Sequence, residues 1–275
     1  MEHLRNYLQA SKARKDNPPR DASQIGNLLH EVFDKMSEQC ARRDNKVFYH
    51  TGFACVDEVI EGLEPGELVA IGGMPKSGKT AFALHIALQV AKETQKSVWI
   101  YSAKHSPHQI TKRMLAMLTG TPIRSVEDAR LTDTEWNNLS TASAWLRKQD
   151  IRVRGLGMPL EELCELLRNS EHPALLVLDD VLPADLNVDA INALKQFAAE
   201  TNCCVITTSF YHVLHQYVAG GADKVFFLYG YEEQSYTDCE ITWNRYGRNG
   251  DTTLYFNREC LLFSEKGPEL VDDGE

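Results

Sequence analysis

Residues 67–91 read Glu67-Leu-Val-Ala-Ile-Gly-Gly-Met-Pro-Lys-Ser-Gly-Lys-Thr-Ala-Phe-Ala-Leu-His-Ile-Ala-Leu-Gln-Val-Ala91. Three pieces follow one another. Leu68–Ile71 is an unbroken apolar run, the pattern of a strand buried on both faces. Gly73–Thr80 matches G-x-x-x-x-G-K-[ST]. Thr80–Glu93 carries Phe82, Leu84, Ile86, Ala87, Leu88 and Val90, which predicts an amphipathic helix. A glycine-rich turn between strand and helix lets backbone N–H groups converge on an anion. The helix N-terminus adds free donors and partial positive charge. Gly73, Pro75, Lys76, Ser77, Gly78, Lys79, Thr80 and Ala81 are therefore the candidate phosphate-binding residues. Lys79 suits the β- and γ-phosphates, and the Thr80 hydroxyl suits Mg²⁺. The expected cofactor is Mg-ATP.

Such a site also needs an acidic residue at a strand end. Pro173-Ala-Leu-Leu-Val-Leu-Asp179-Asp180 supplies one. Its apolar residues put Asp179 at the carboxyl edge of a buried strand, where ligands of open α/β sheets bind. Asp179 is the candidate Mg²⁺ ligand and water-positioning group; the competing reading is a loop or helix-capping aspartate. The adjacent Asp180 is a candidate base.

Outward from this core, further strands are expected at Val98–Tyr101, Ile151–Val153, Leu175–Leu178, Val205–Thr208, Val225–Leu228 and Glu240–Trp243. Thr252–Phe256 and Cys260–Phe263 suggest a terminal hairpin. Helices are expected at His108–Leu118, Asp133–Arg147, Leu160–Asn169 and Val188–Glu200. Continuous Val/Ile/Leu strands separated by helices predict an α/β fold: a mostly parallel sheet covered on both faces, with an antiparallel edge where the last strands lack intervening helices. Residues 1–20 read as a basic polar tail, 21–45 as a helix, 46–265 as the core and 266–275 as an acidic tail. The 21–45 helix carries Ile25, Leu28, Leu29, Val32, Phe33 and Met36 at helical spacing. That stripe either packs on its own domain or docks on a neighbouring subunit.

The 275 residues carry 29 Lys and Arg against 39 Asp and Glu, a formal charge of −10. A globally basic nucleic-acid binder is excluded, so any such contact needs a local patch or a ring of subunits. The 7 cysteines contain no Cys-x-x-Cys pair, which implies neither a zinc site nor a disulfide framework. With no signal-like start and no long apolar run, the chain reads as cytoplasmic and not membrane-bound.

The motifs carry a resemblance. Thr51-Gly-Phe53, Gly62-Leu-Glu-Pro-Gly-Glu-Leu68 and the stretch from Gly72 to Leu84 resemble the opening of the DnaB-type replicative helicase core. Ser102-Ala-Lys-His-Ser106, Arg113-Met-Leu-Ala116, Leu131-Thr-Asp-Thr-Glu-Trp136, Ala222-Asp-Lys-Val-Phe-Phe-Leu-Tyr229 and Asn244-Arg-Tyr-Gly-Arg-Asn-Gly250 extend it across roughly residues 22–263. The resemblance implies a RecA-like P-loop core behind a linker helix. It implies ATP between subunits of a homo-oligomeric ring, single-stranded DNA as a partner, and a role beside replication or recombination proteins. It makes Gly78, Lys79 and Thr80 the Walker A residues, Asp179 the Walker B aspartate and Arg245 an arginine finger acting on a neighbour's ATP. With only 20 residues before the linker, the family's N-terminal helical domain is not expected.

The departures matter as much. Lys104 stands where the family has its water-activating glutamate, and an ammonium is a poor base. Phe210 stands at a glutamine that relays a γ-phosphate contact, and Trp243 at the lysine accompanying the finger, with Arg248 nearby in sequence. Both loops that face DNA in the family look shortened; Tyr211 and Tyr217 in the second are candidates for base stacking, or for packing. ATP binding with slow or absent hydrolysis and unwinding is the expectation. The alternatives are an active DNA-stimulated helicase and an assembly partner of a helicase.

Overall fold

The structure is a computed structural model and describes residues 25, 29, 32, 33, 47–155, 172–181, 188–231 and 233–267. Contacts divide the chain into two units, Met1–Phe48 and Tyr49–Glu275. In the first unit Ile25, Leu29, Val32 and Phe33 are helical, and all four side chains are exposed. Most of the expected 21–45 helix, both tails apart from residues 266 and 267, and the expected helix at 160–169 lie outside the described residues.

In the second unit the order is α1 (Ala54–Ile60), β1 (Leu68–Gly73), α2 (Lys79–Thr94), β2 (Val98–Ser102), α3 (Pro107–Thr119), α4 (Ile123–Asp128), α5 (Asp133–Leu146), β3 (Ile151–Gly155), β4 (Leu175–Asp179), α6 (Val188–Thr201), β5 (Cys204–Phe210), a 3₁₀ turn (Tyr211–Val213), α7 (Leu214–Ala219), β6 (Lys224–Tyr229), β7 (Tyr236–Asn244), β8 (Gly250–Asn257) and β9 (Leu262–Ser264). The strands form one sheet in the order β3-β2-β4-β5-β1-β6-β7-β8-β9. The six from β3 to β6 run parallel, and β7, β8 and β9 are antiparallel. This is the expected α/β sheet with its antiparallel edge. β1, β2 and β4 are buried along their whole length, which is why they read as continuous apolar runs.

Helix starts follow local chemistry. Ser106 caps α3 in a capping box with Gln109, and Thr132 caps α5 with Glu135. The core centres on α2. Phe82 stacks on Phe53 at 5.4 Å between ring centroids and meets Phe263 edge-on at 5.6 Å. Cys203, Cys204, Cys239 and Cys260 are buried free thiols, and Cys55 is half-buried and free. Among the described residues no helix is long and apolar enough to cross a membrane.

Three short helices were not expected from the sequence: α1 and α4, in stretches left unassigned, and α7, in a segment read as a loop. The last corrects the reading of the segment after β5 as an open loop. Val213, Leu214 and Tyr217 are buried, and Leu214 sits directly on Gly72 of β1. Tyr217 has no exposed face and so is a packing residue, not a stacking platform; Tyr211 is half-exposed.

Candidate functional site

Because β1, β2, β4 and β5 are parallel neighbours, their carboxyl ends meet at one edge. Gly73 ends β1, Ser102 ends β2, Asp179 ends β4 and Phe210 ends β5. The loop after β1 turns into α2 at Gly78, whose φ of +94° only glycine adopts without strain. Met74, Pro75 and Lys76 are exposed on the rim, whereas Ser77, Lys79 and Ala81 are buried and Gly78 and Thr80 half-buried. The Lys79 ammonium curls back and donates to the carbonyls of Gly73 (3.0 Å) and Met74 (2.9 Å). Burial pushes its pKa down; Asp180 and Asp179 push it up, and Lys104 pushes it down.

Asp179 is 1% exposed, accepts from three side chains and has a fourth, His105, beside it. Thr80 Oγ1 (2.8 Å) and Thr208 Oγ1 (2.9 Å) donate to Oδ1. Ser102 Oγ (2.8 Å) donates to Oδ2, and His105 Nδ1 lies 3.4 Å from the same oxygen. Burial alone would raise this carboxyl's pKa, but the bonds from His105, Thr80, Ser102 and Thr208 hold it below the usual carboxylate range. Ser102, His105 and Thr208 were not identified from sequence.

Asp180 turns away with φ +52°, its N–H on Thr208 Oγ1 at 2.9 Å. Its carboxylate pairs with Lys104 Nζ at 2.9 Å. The Lys104 ammonium also lies over the Phe210 ring at 4.8 Å, and Lys79 lies over the same ring at 5.7 Å. A further brace comes from Arg258, beyond β8. Its guanidinium donates to the carbonyls of Lys76 (2.7 Å), Tyr231 (2.5 Å) and Gln234 (3.2 Å) and lies over the Phe256 ring. Nothing in its sequence neighbourhood marks that role.

The opposite edge holds a second charged cluster. Asp223, fully buried, accepts from Lys195 Nζ (2.6 Å) and from the Leu68 N–H (2.8 Å). Arg245 Nε lies 3.6 Å from its other oxygen. Lys224 pairs with Glu67 beside it. Arg245 follows β7, which runs antiparallel to β6, so it stands at the start of β1 rather than at its end. Six residues of strand separate it from its own loop, about 20 Å at ~3.3 Å per residue. Trp243 donates to the Ala222 carbonyl, and Arg248 to that of Glu58 at 3.4 Å. The structure thus gathers Gly73–Ala81, Asp179 and Asp180 and leaves Arg245 apart.

Whether the loop fits a nucleotide phosphate can be judged from its own atoms. Ser77 Oγ is buried without a hydrogen-bond partner. A Cβ at Gly73 would lie 2.5 Å from that oxygen and 2.7 Å from the Leu228 carbonyl, so the cradle tolerates no side chain. Lys79 and the N-terminus of α2 supply positive charge, and Thr80 beside Asp179 supplies the hydroxyl and carboxylate that a phosphate-bound Mg²⁺ uses. The residues fit the phosphates of a Mg²⁺-bound nucleotide.

Strand, phosphate loop, helix and a buried aspartate two strands away define the RecA-like class of P-loop folds. Within that class, the family model described as "DnaB-like helicase C terminal domain" matches residues 49–211, and the chain belongs to this family. Among its relatives, the replicative DNA helicase DnaC of Bacillus subtilis is 27% identical over 56% of this chain and 35% of its own length. The replicative DNA helicase DnaB of Geobacillus stearothermophilus is 29% identical over 53% of this chain and 37% of its own length. The chain therefore spans about a third of the curated relatives it matches. Among solved structures, one described as an ATPase domain superposes with a TM-score of 0.72 at 21% identity, covering 90% of this chain and all of that one. A second, described as a DnaB-like replicative helicase and its interactions with primase, has a TM-score of 0.70 at 18% identity and covers 95% of this chain and 76% of its own. At these identities the superpositions speak for the fold alone.

Proposed function

We propose that this chain binds Mg-ATP at the Gly73–Thr80 loop, assembles into a ring, and serves DNA replication or recombination as a DnaB-like component with slow or absent hydrolysis. The observation that carries the reading is the pairing of an intact phosphate site with an altered catalytic neighbourhood. Lys79, Thr80 and Asp179 are in place, while Lys104 projects a cation onto Asp180. Bound Mg-ATP would supply the reactive phosphoanhydride; Lys79 and the loop N–H groups would hold its phosphates, and Thr80 and Asp179 its metal. Lys104 itself stands where a carboxylate base would be needed, and an ammonium is a poor base. Absence of a working base costs about two to four orders of magnitude in rate.

Ring assembly is supported by two features. Arg245 lies at the edge away from its own loop, as a residue acting on a neighbour's nucleotide must. The four exposed apolar side chains at Ile25, Leu29, Val32 and Phe33 suit a linker helix docking on an adjacent copy. Replication partners of the primase kind, single-stranded DNA and a cytoplasmic setting belong to the same reading. The 1–20, 21–45, 46–265 and 266–275 divisions stand with it as tail, linker, core and tail.

The test is to measure ATP affinity and turnover together, with and without single-stranded DNA. Tight binding with turnover well under about 1 per second is expected, against the usual enzyme range of about 1–1,000 per second. DNA-stimulated turnover of several per second would instead favour the active-helicase reading, with Asp180 as base. Lys79→Ala removes nucleotide binding on this reading; unchanged affinity would mean the site is elsewhere.

A further inference from the structure

We infer that Lys104 is a second phosphate-binding lysine of this site, one that selects a nucleoside triphosphate over a diphosphate. The inference rests on the proposed nucleotide site and adds a residue and a specificity to it.

The geometry begins with the sheet. Ser102 pairs in register with Asp179, so the loop after β2 emerges beside the loop after β4. Lys104 therefore approaches from the far side of Asp179 and Asp180, whereas the phosphate loop leaves β1 on the near side, with β5 between. Phe210, which ends β5 and pairs with Gly73, forms a shared floor. The ammoniums of Lys79 and Lys104 lie 5.7 and 4.8 Å from the centre of that one ring. Two like charges beside one aromatic ring repel each other, and each is a donor set suited to an anion.

Neither aspartate removes the demand for one. Asp179 is already engaged by Thr80, Thr208 and Ser102, with His105 Nδ1 3.4 Å away. Asp180 holds Lys104 at 2.9 Å, but the lysine side chain is 53% exposed, and an ion pair so open to water is weak and exchangeable. A phosphate oxygen carrying more charge than a carboxylate oxygen displaces it. Lys104 can make the exchange because its four-carbon stem pivots while the backbone stays fixed; Ala103 N–H is held on the Asp179 carbonyl at 3.0 Å. The loop N–H groups serve the inner phosphates, and Lys79 reaches the β- and γ-phosphates from the side of β1. The contact that Lys104 adds falls on the outermost phosphate, which a diphosphate lacks.

The experiment compares affinity for the β,γ-imido analogue of ATP with affinity for ADP, both with Mg²⁺, by calorimetry. The proteins are the wild-type chain, Lys104→Gln, Lys104→Arg and Lys79→Ala. A half-exposed charge-assisted contact predicts about tenfold weaker binding of the triphosphate analogue to Lys104→Gln, with ADP affinity unchanged within about twofold. Lys104→Arg keeps the preference. Equal effects on both nucleotides, or none on either, overturn the role of Lys104 while leaving the phosphate site standing. A wild-type chain that binds neither nucleotide, or a Lys79→Ala chain that binds both normally, overturns the nucleotide site and this inference with it.

Discussion

Removing the carboxylate of Asp179 tests what holds the four strand ends together. Ser102 and Thr208 are fully buried donors, whereas Thr80 and His105 are half-buried and can turn to water. Asp179→Ala removes the shared acceptor; Thr208 is left without one, while Ser102 retains His105 Nδ1 at 3.3 Å. Stranding a buried donor costs about 1–3 kcal/mol, so losing the Thr208 acceptor and the charged acceptor of Ser102 together costs about 3 kcal/mol. Asp179→Asn keeps the shape and one carbonyl acceptor for Thr80 and Thr208, and Ser102 can reverse its hydroxyl. It loses charge assistance alone, about 1–2 kcal/mol. The assay is urea unfolding of the nucleotide-free chain at pH 7. The pH dependence has a definite sign. The folded pKa of Asp179 lies below its ordinary value, so the advantage of wild type over Asp179→Asn is fully present above about pH 4. It declines as pH falls through the lowered folded pKa. An Asn variant as unstable as Ala, or an Ala variant costing under about 1 kcal/mol, would refute the account of Asp179 as an acceptor hub.

Three further outcomes are expected. Arg245→Ala should leave nucleotide affinity unchanged in a monomeric preparation, and mixing it with Lys79→Ala chains should restore any turnover above either variant alone, read by phosphate release; no complementation would count against a finger acting in trans. Phe82→Ala should lose about 3–5 kcal/mol in urea unfolding, because its ring is fully buried between Phe53 and Phe263. Burial lowers the pKa of His85 to about 4, so native stability should fall by up to about 3 kcal/mol as pH drops from 6.5 toward 4. That limb should flatten in His85→Gln, and a limb of unchanged slope would assign the pH dependence to other groups.

The strands were legible because β1, β2 and β4 are buried on both faces and so leave uninterrupted apolar runs. Helices α3 and α5 were expected as the segments between strands; the Ser106 and Thr132 capping boxes that start them were seen only in the structure. Helix α7 was not legible: it has six residues and buries only Leu214 and Tyr217, too few to show a period. The phosphate loop was readable because all its parts are contiguous. The surroundings of Asp179 were not, since Ser102 and His105 come from the end of β2 and the loop beyond it, and Thr208 from β5. Strand adjacency in the sheet, not spacing in the chain, brings them together. The same holds for Lys104 over Phe210 and for Arg258 under Lys76. Sequence position flagged Lys104 as a missing base; only the fold shows that its charge points into the site.

The two ends of β1 carry unlike cargo, a phosphate cradle at one and the Asp223–Arg245 cluster at the other. On the proposed reading each chain is half of two catalytic units and the whole of none. Defects would then spread by geometry. One subunit lacking Lys79 silences a single junction, one lacking Arg245 silences the junction on its other side, and one lacking both silences two. In mixed assemblies the doubly altered chain should therefore be the stronger poison, so that dominance over wild type can be tuned by choosing which end of one strand to damage.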